Sequence, residues 1–219
     1  NEVIVVVPDA NTKFKGAMYG ASVTTGDFER FTAVDLVKHI DASYRTLARR
    51  ESRGLSGHSM GGLGTLKIAM KYPGVFSSIY AMAPCCVAPT SITAEQLQAA
   101  QAVTDEQVAT AGGFALATPA TLSAWAPDPQ NPPHYFASGI KDGAVDPLII
   151  ARLQANAPLV MLPQYLPALR SLEAIAINVG DNRFGIAHDW EVFDGDHGNR
   201  VNARIRSDLL PFFGRHLDK

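Results

Sequence analysis

The stretch RGLSGHSMGGLGTLKIAM, residues 53 to 70, constrains this chain more than any other. It sets Gly57, Gly61, Gly62 and Gly64 around Ser59, then runs directly into apolar residues at helical spacing. Glycine weakens both strands and helices, so such a cluster between two regular elements marks a place that needs room. Gly57-His58-Ser59-Met60-Gly61 fits G-x-S-x-G, a pattern that carries meaning only between a strand and a helix. In that turn the serine is held in a strained backbone conformation at a strand tip, and its hydroxyl projects outward. Side chains two residues before or after it are expected to strike strand and helix atoms, while Gly62 and Gly64 let the helix lie close to a sheet. Ser59 would stand at a helix N-terminus, where N–H groups without intrahelical partners favour negative charge. The Met60 N–H is then a candidate oxyanion donor. Phosphate-binding loops do not fit: Gly64 is followed by Thr65-Leu66-Lys67, with neither Gly-Lys-Ser/Thr nor a closing glycine.

The flanks supply the context that the motif requires. Val3 to Val7 is a continuous β-branched run ending in Pro8-Asp9-Ala10-Asn11, which predicts a strand buried on both faces. Phe31, Val34, Leu36, Val37, Ile40, Tyr44 and Leu47 predict a helix reaching Arg50. A short strand over Ser52 to Ser56 leads into the glycines. Leu63, Leu66, Ile68, Ala69 and Met70 form the inner face of the next helix, closed by Pro73-Gly74. Strands follow over Phe76 to Met82, Ala174 to Val179 and His188 to Phe193, and a helix over Val201 to His216 ends the chain. Alternating strands and helices predict an α/β fold, with a mostly parallel central sheet flanked by helices. Residues 89–169 have a different texture. TAEQLQAAQAVTDEQVATA is polar-faced and helical, APDPQNPPHYF is a proline-rich loop, and DPLIIARLQANAPLVM is helical again. We expect a helical insertion there, within one domain spanning 1–219.

Composition narrows the partners. The chain is 47% hydrophobic and 18% charged, enough apolar material for one sizeable core. Its net charge of -2 comes from 19 basic and 21 acidic residues without a basic run, which argues against nucleic acid or an anionic membrane surface. The longest apolar-rich stretch, Ala157 to Leu169, contains Pro163 and Pro167, and no segment has the length of a spanning helix. Cys85 and Cys86 are adjacent; a disulfide between neighbours is strained, so two thiols are expected. NEVIVVVPDA has no initiator Met, basic leader or cleavage site and reads as the middle of a protein, so cytoplasmic and secreted or periplasmic settings both fit.

A serine hydroxyl needs an imidazole beside it to become a nucleophile. His197, in VFDGDHGNR, follows the last expected strand on a short polar loop, where an open α/β sheet places its chemistry. His58 adjoins the serine but leaves the turn in another direction, which makes it a candidate for substrate binding instead. His39 and His216 fall on expected helix surfaces, His134 in the proline-rich loop and His188 at a strand start. Asp181, in INVGDNRF, is the candidate acid, and Asp189, Asp194 and Asp196 are the alternatives. DGDHG has the look of a metal-ligand cluster, but no second group of ligands accompanies it, and neither metal nor cofactor is expected.

DLVKHIDASYRTLARRESRGLSGHSMGGLGTLKIAMKYPGVFSSIYAMAP and FDGDHGNRVNARIRSDLLPFF resemble the esterase-D-like branch of the α/β-hydrolases, and VIVVVPDANTK does so more weakly. That family includes S-formylglutathione hydrolases, feruloyl and cinnamoyl esterases and mycolyltransferases. The resemblance implies an α/β-hydrolase fold and a serine carboxylesterase, with Ser59 as nucleophile, His197 as base and Met60 as oxyanion donor. It further implies a small-molecule ester substrate; in the expected helical insertion, Trp125, Pro132, Pro133, Tyr135 and Phe136 are candidate pocket walls, with Trp125 a candidate for substrate binding. An acyltransferase, a thioester hydrolase and a non-catalytic hydrolase-like binding domain are the alternatives, and a homo-oligomer is left open. Relatives carry a segment before VIVVVPD that supplies a second oxyanion donor, so this chain is expected to lack its N-terminal part. The family's acid stands three residues after the glycine of the penultimate strand, where this chain has Arg183. Only about eight residues separate Val179 from His188, fewer than the dozen a parallel crossover needs. Residues are therefore expected to be missing between Asp181 and Gly185.

Overall fold

The computed structural model describes residues 3–179, 198 and 200–218. The chain divides into two compact units, one built from residues 1–6, 33–85 and 162–219, the other from 7–32 and 86–161.

The first unit holds a parallel sheet of β1 (Gly54–His58), β2 (Ser78–Met82) and β3 (Ala174–Asn178), in that order. Gly54 pairs with Ser78 and His58 with Met82, and Ser78 in turn pairs with Ala174 and Met82 with Asn178. His58, Met82 and Asn178 therefore end in register at the carboxyl edge of the sheet. Every residue of the central strand, SIYAM, is buried, as expected of a strand covered on both faces. The crossover from β1 to β2 is α2 (Met60–Lys71), preceded in the chain by α1 (Leu36–Ser43). In α2, Gly62 through Met70 are all buried, so a stretch read as amphipathic is enclosed all round, with even Lys67 fully covered. The closing segment runs as a helical turn at Val201–Arg204, a π turn at Ile205–Leu209 and α3 (Leu210–His216). Its Leu209, Phe212 and Phe213 pack with Tyr80 and Met82 of β2, and Tyr80 meets Phe212 edge-on with centroids 5.4 Å apart. Burying each such side chain stabilises the unit by roughly 1.5–3 kcal/mol.

Two expectations in this unit are corrected. Val3 to Val7 forms no strand among the described residues; Val5 is 69% and Val7 86% exposed. β-branched composition prepares a backbone for pairing, but a ladder also needs a partner. The helix expected up to Arg50 stops at Ser43, and Tyr44 turns extended. The Asp41 carboxylate accepts the Thr46 hydroxyl at 2.8 Å and pairs with the Arg53 guanidinium, drawing the chain back across the helix end. Tyr44 and Leu47, counted as helix-face residues, are consequently exposed.

The second unit is mainly helical, with helices at Ala94–Gln101, Asp105–Thr110, Ala117–Trp125 and Pro147–Ala155. Thr93 with Gln96 and Thr104 with Gln107 close full capping boxes on the first two. Residues 7–32 belong to this unit as well: the Ser22 hydroxyl donates to Ser123 O at 2.7 Å, and Phe14 stacks on His134. Two hairpins of two-residue strands, Ala21–Ser22 with Gly26–Asp27 and Ile140–Lys141 with Ala144–Val145, are elements that the hydrophobic pattern did not reveal. Among the described residues, no helix is long and apolar enough to cross a membrane.

Candidate active site

The site is built on the passage from β1 into α2. Between the last strand residue, His58, and the first helical residue, Met60, the backbone must reverse its curvature within one residue. Ser59 does this with φ 55° and ψ -114°. Positive φ is uncommon for a residue with a Cβ and is held only where surroundings enforce it. Here the enforcement is visible in hydrogen bonds. The Ser59 N–H donates to Met82 O at 2.9 Å, and Ser59 O accepts the Leu63 N–H at 3.0 Å and the Cys85 N–H at 3.1 Å. One residue is thus tied through its two peptide groups to the end of the neighbouring strand, to the helix it starts and to the turn after β2.

The glycines divide into two kinds. A Cβ on Gly57 would run into the backbone of Gly61, and one on Gly62 would lie 2.9 Å from Pro84 Cα and 3.0 Å from Met82 O. Both contacts are with main chain and cannot be relieved by a rotamer change. Gly61 is different: a Cβ there meets nothing within 4 Å outside its own helix among the described residues, so no described neighbour supplies the expected steric reason for a glycine two after the serine. The space around Ser59 is cleared by Gly57, with Gly62 setting the close approach of α2 to β2.

Leu63 makes the first i to i-4 bond of α2, so the N–H groups of Met60, Gly61 and Gly62 precede the helical ladder. They form the positive end of a 12-residue helix, directly beside the half-buried Ser59. Such a place stabilises an oxyanion. His58, also half-buried, closes β1 opposite Met82.

Ser59, Met60 and His58 are brought together in this way. His197 and Asp181 lie outside the described residues, as do Arg183, His188, Asp189, Asp194, Asp196 and the 181–185 segment. Of the other histidines, His134 Nε2 donates to Val103 O at 2.7 Å, His216 packs on Phe212, and His39 is exposed on α1. Trp125 is a core residue of the second unit, 5% exposed, with its indole against the main chain at Gly20. Phe136 is fully buried there, whereas Tyr135 is 45% exposed. In the same unit, burial holds the Tyr19 phenol above its ordinary range. Sequence reasoning missed Pro84 and Cys85, which press on the elbow from the turn after β2. Their signal was present in the rule that adjacent parallel strands deliver their loops to one edge of a sheet.

A family model described as "Putative esterase" matches residues 2–135, well over half of the chain. The chain belongs to this esterase family. Esterase Rv1288 and Esterase MT1326, from two strains of Mycobacterium tuberculosis, are each 36% identical to it over 77 residues. That match covers 35% of this chain and 17% of each relative, so the chain spans far less than two thirds of the curated relatives it matches. A solved ferulic acid esterase superposes with a TM-score of 0.54 at 17% identity, over 91% of this chain and 65% of that one. The shared architecture with that protein is the α/β-hydrolase fold. An S-formylglutathione hydrolase from Agrobacterium tumefaciens aligns at TM-score 0.43 and 16% identity, over 93% of this chain and 64% of its own.

Proposed function

We propose that this member of the esterase family hydrolyses carboxylic esters through an acyl-enzyme on Ser59. The observation that carries the reading is the backbone at Ser59: a non-glycine residue at positive φ, between a parallel strand and a buried helix, with helix N–H groups alongside. In this reading His197 takes the hydroxyl proton as Ser59 Oγ attacks the ester carbonyl. The Met60 N–H stabilises the oxyanion, and Asp181 orients the imidazole. The tetrahedral intermediate collapses with cleavage of the ester C–O bond, and the departing alcohol takes the proton from His197. Water then attacks the acyl-enzyme, its proton passing to His197, and the carboxylic acid leaves as Ser59 regains its hydrogen.

The substrate class proposed is a small carboxylic ester, with aryl and cinnamoyl esters as the first candidates because a solved ferulic acid esterase shares the fold. The test is labelling with a fluorophosphonate, followed by peptide mapping and rate measurement on p-nitrophenyl esters of rising chain length and on methyl ferulate. A label on Ser59, with hydrolysis lost in both Ser59→Ala and His197→Ala, is the expected result. Hydrolysis that persists undiminished in Ser59→Ala overturns it.

A further inference from the structure

Beyond Ser59, the turn after β2 carries two neighbouring thiols, those of Cys85 and Cys86. Neither cysteine is in a disulfide; Cys85 is half-buried and Cys86 exposed. They follow β2 through Ala83, at φ 40°, and Pro84, and Cys86 itself sits at φ 58°. The turn is therefore held in an uncommon conformation on both sides of Cys85. Its connection to the site is direct: the Cys85 N–H donates to Ser59 O at 3.1 Å, and Pro84 fills the space that a side chain on Gly62 would need.

We propose that Cys85 and Cys86 are a reversible modification site, oxidised to a vicinal disulfide by a low-molecular-weight disulfide of the glutathione type, and that this oxidation slows ester hydrolysis. The inference rests on the reading of Ser59 as nucleophile. The exposed Cys86, as thiolate, attacks one sulfur of the oxidant and releases the first small thiol. Cys85, as thiolate, then attacks Cys86 Sγ, forms the S–S bond and expels the second. Two protein thiols are oxidised by two electrons, one small disulfide is reduced to two thiols, and the protons leave with them. Neighbouring Cα atoms stand about 3.8 Å apart, short of the roughly 4.4–6.8 Å that a relaxed disulfide spans. Ring closure must therefore twist the backbone of both residues, and the first bond at risk is Cys85 N–H to Ser59 O. Strain of this kind also makes the disulfide easy to reduce, which suits a reversible site.

The experiment treats the reduced protein with glutathione disulfide. It then reads intact mass and a peptide map, kcat/KM on p-nitrophenyl acetate, and hydrogen exchange at the Cys85 amide. The expected product is about 2 Da lighter, with a Cys85–Cys86 disulfide. Its kcat/KM falls by about tenfold or more, since small displacements of a catalytic group cost that much. Its Cys85 amide exchanges faster, and dithiothreitol restores all three. Cys86→Ser, which keeps the turn, starts at the unmodified rate and is indifferent to the oxidant. A stable glutathione adduct on Cys86, or a vicinal disulfide with unchanged kcat/KM and amide protection, overturns the proposal. If the reduced protein neither hydrolyses esters nor takes the fluorophosphonate, the reading of Ser59 fails. Mass and amide exchange then still decide whether the disulfide forms and loosens the turn.

Discussion

Ser59 carries a conformational cost that can be isolated by comparing two substitutions with each other. Ser59→Ala and Ser59→Gly both remove the hydroxyl, so they differ only in how the backbone tolerates φ 55° and ψ -114°. Alanine keeps the strain of a Cβ in that region, of order 1–3 kcal/mol. Glycine relieves it but adds roughly 0.5–1 kcal/mol of chain entropy to be lost on folding. The balance leaves Ser59→Gly more stable than Ser59→Ala by about 1 kcal/mol. At an ordinary position the order is reversed, alanine leading by about 0.5–1 kcal/mol. The prediction is therefore a change of sign, which is more robust than a magnitude. Urea unfolding at constant m reads it directly, and in a thermal scan it corresponds to about 2–4 °C per kcal/mol for a domain of this size. Should Ser59→Ala prove the more stable, the strained elbow is refuted, and with it the claim that backbone conformation presents the hydroxyl.

Other perturbations test the surroundings of the elbow. Gly62→Ala places a Cβ 2.9 Å from Pro84 Cα, so it should destabilise the first unit by about 1–3 kcal/mol in urea unfolding, and a neutral result would show that α2 can retreat from β2. The Tyr19 phenol, raised by burial, stays protonated in the folded state at pH values where the unfolded chain, near its ordinary value of 10.0, has begun to ionise. Its stabilisation is full below pH 10 and is lost as pH climbs through the raised value. The urea midpoint of Tyr19→Phe should consequently decline less steeply above pH 10 than that of the unsubstituted protein, and parallel declines would exclude the effect.

What could be read from the sequence followed the range of the interaction concerned. The elbow was legible because its cause is local: Gly57 must lack a Cβ for the backbone of Gly61 to come near, and both residues lie in one pentapeptide. The capping boxes at Thr93 and Thr104 are local too, and they bound the helical texture recognised over that region. The strand at 78–82 was legible for a related reason, since burial on both faces favours a mostly apolar run that can be noticed without knowing its partners.

The misreadings concern partners distant in sequence. Val3 to Val7 has the composition of a strand, yet composition says nothing of what will lie beside it, and the ladder is the part that sequence pattern does not carry. The helix through Ile40 has the periodicity to continue to Leu47, but Arg53 and Thr46 converge on Asp41 and end it. Gly61 shows the opposite error: a motif position was given a steric reason that its own surroundings among the described residues do not supply. The same division runs through the candidate active site. Ser59 and Met60 are adjacent in sequence, so one turn accounts for both. The hold on that turn comes from Met82 and Cys85, whose backbone groups reach Ser59 only because β2 lies parallel to β1 and ends in register with it. A motif can therefore announce a strained serine, but the strain is maintained by a neighbouring strand, and any regulation of the serine should be sought on that strand's loop.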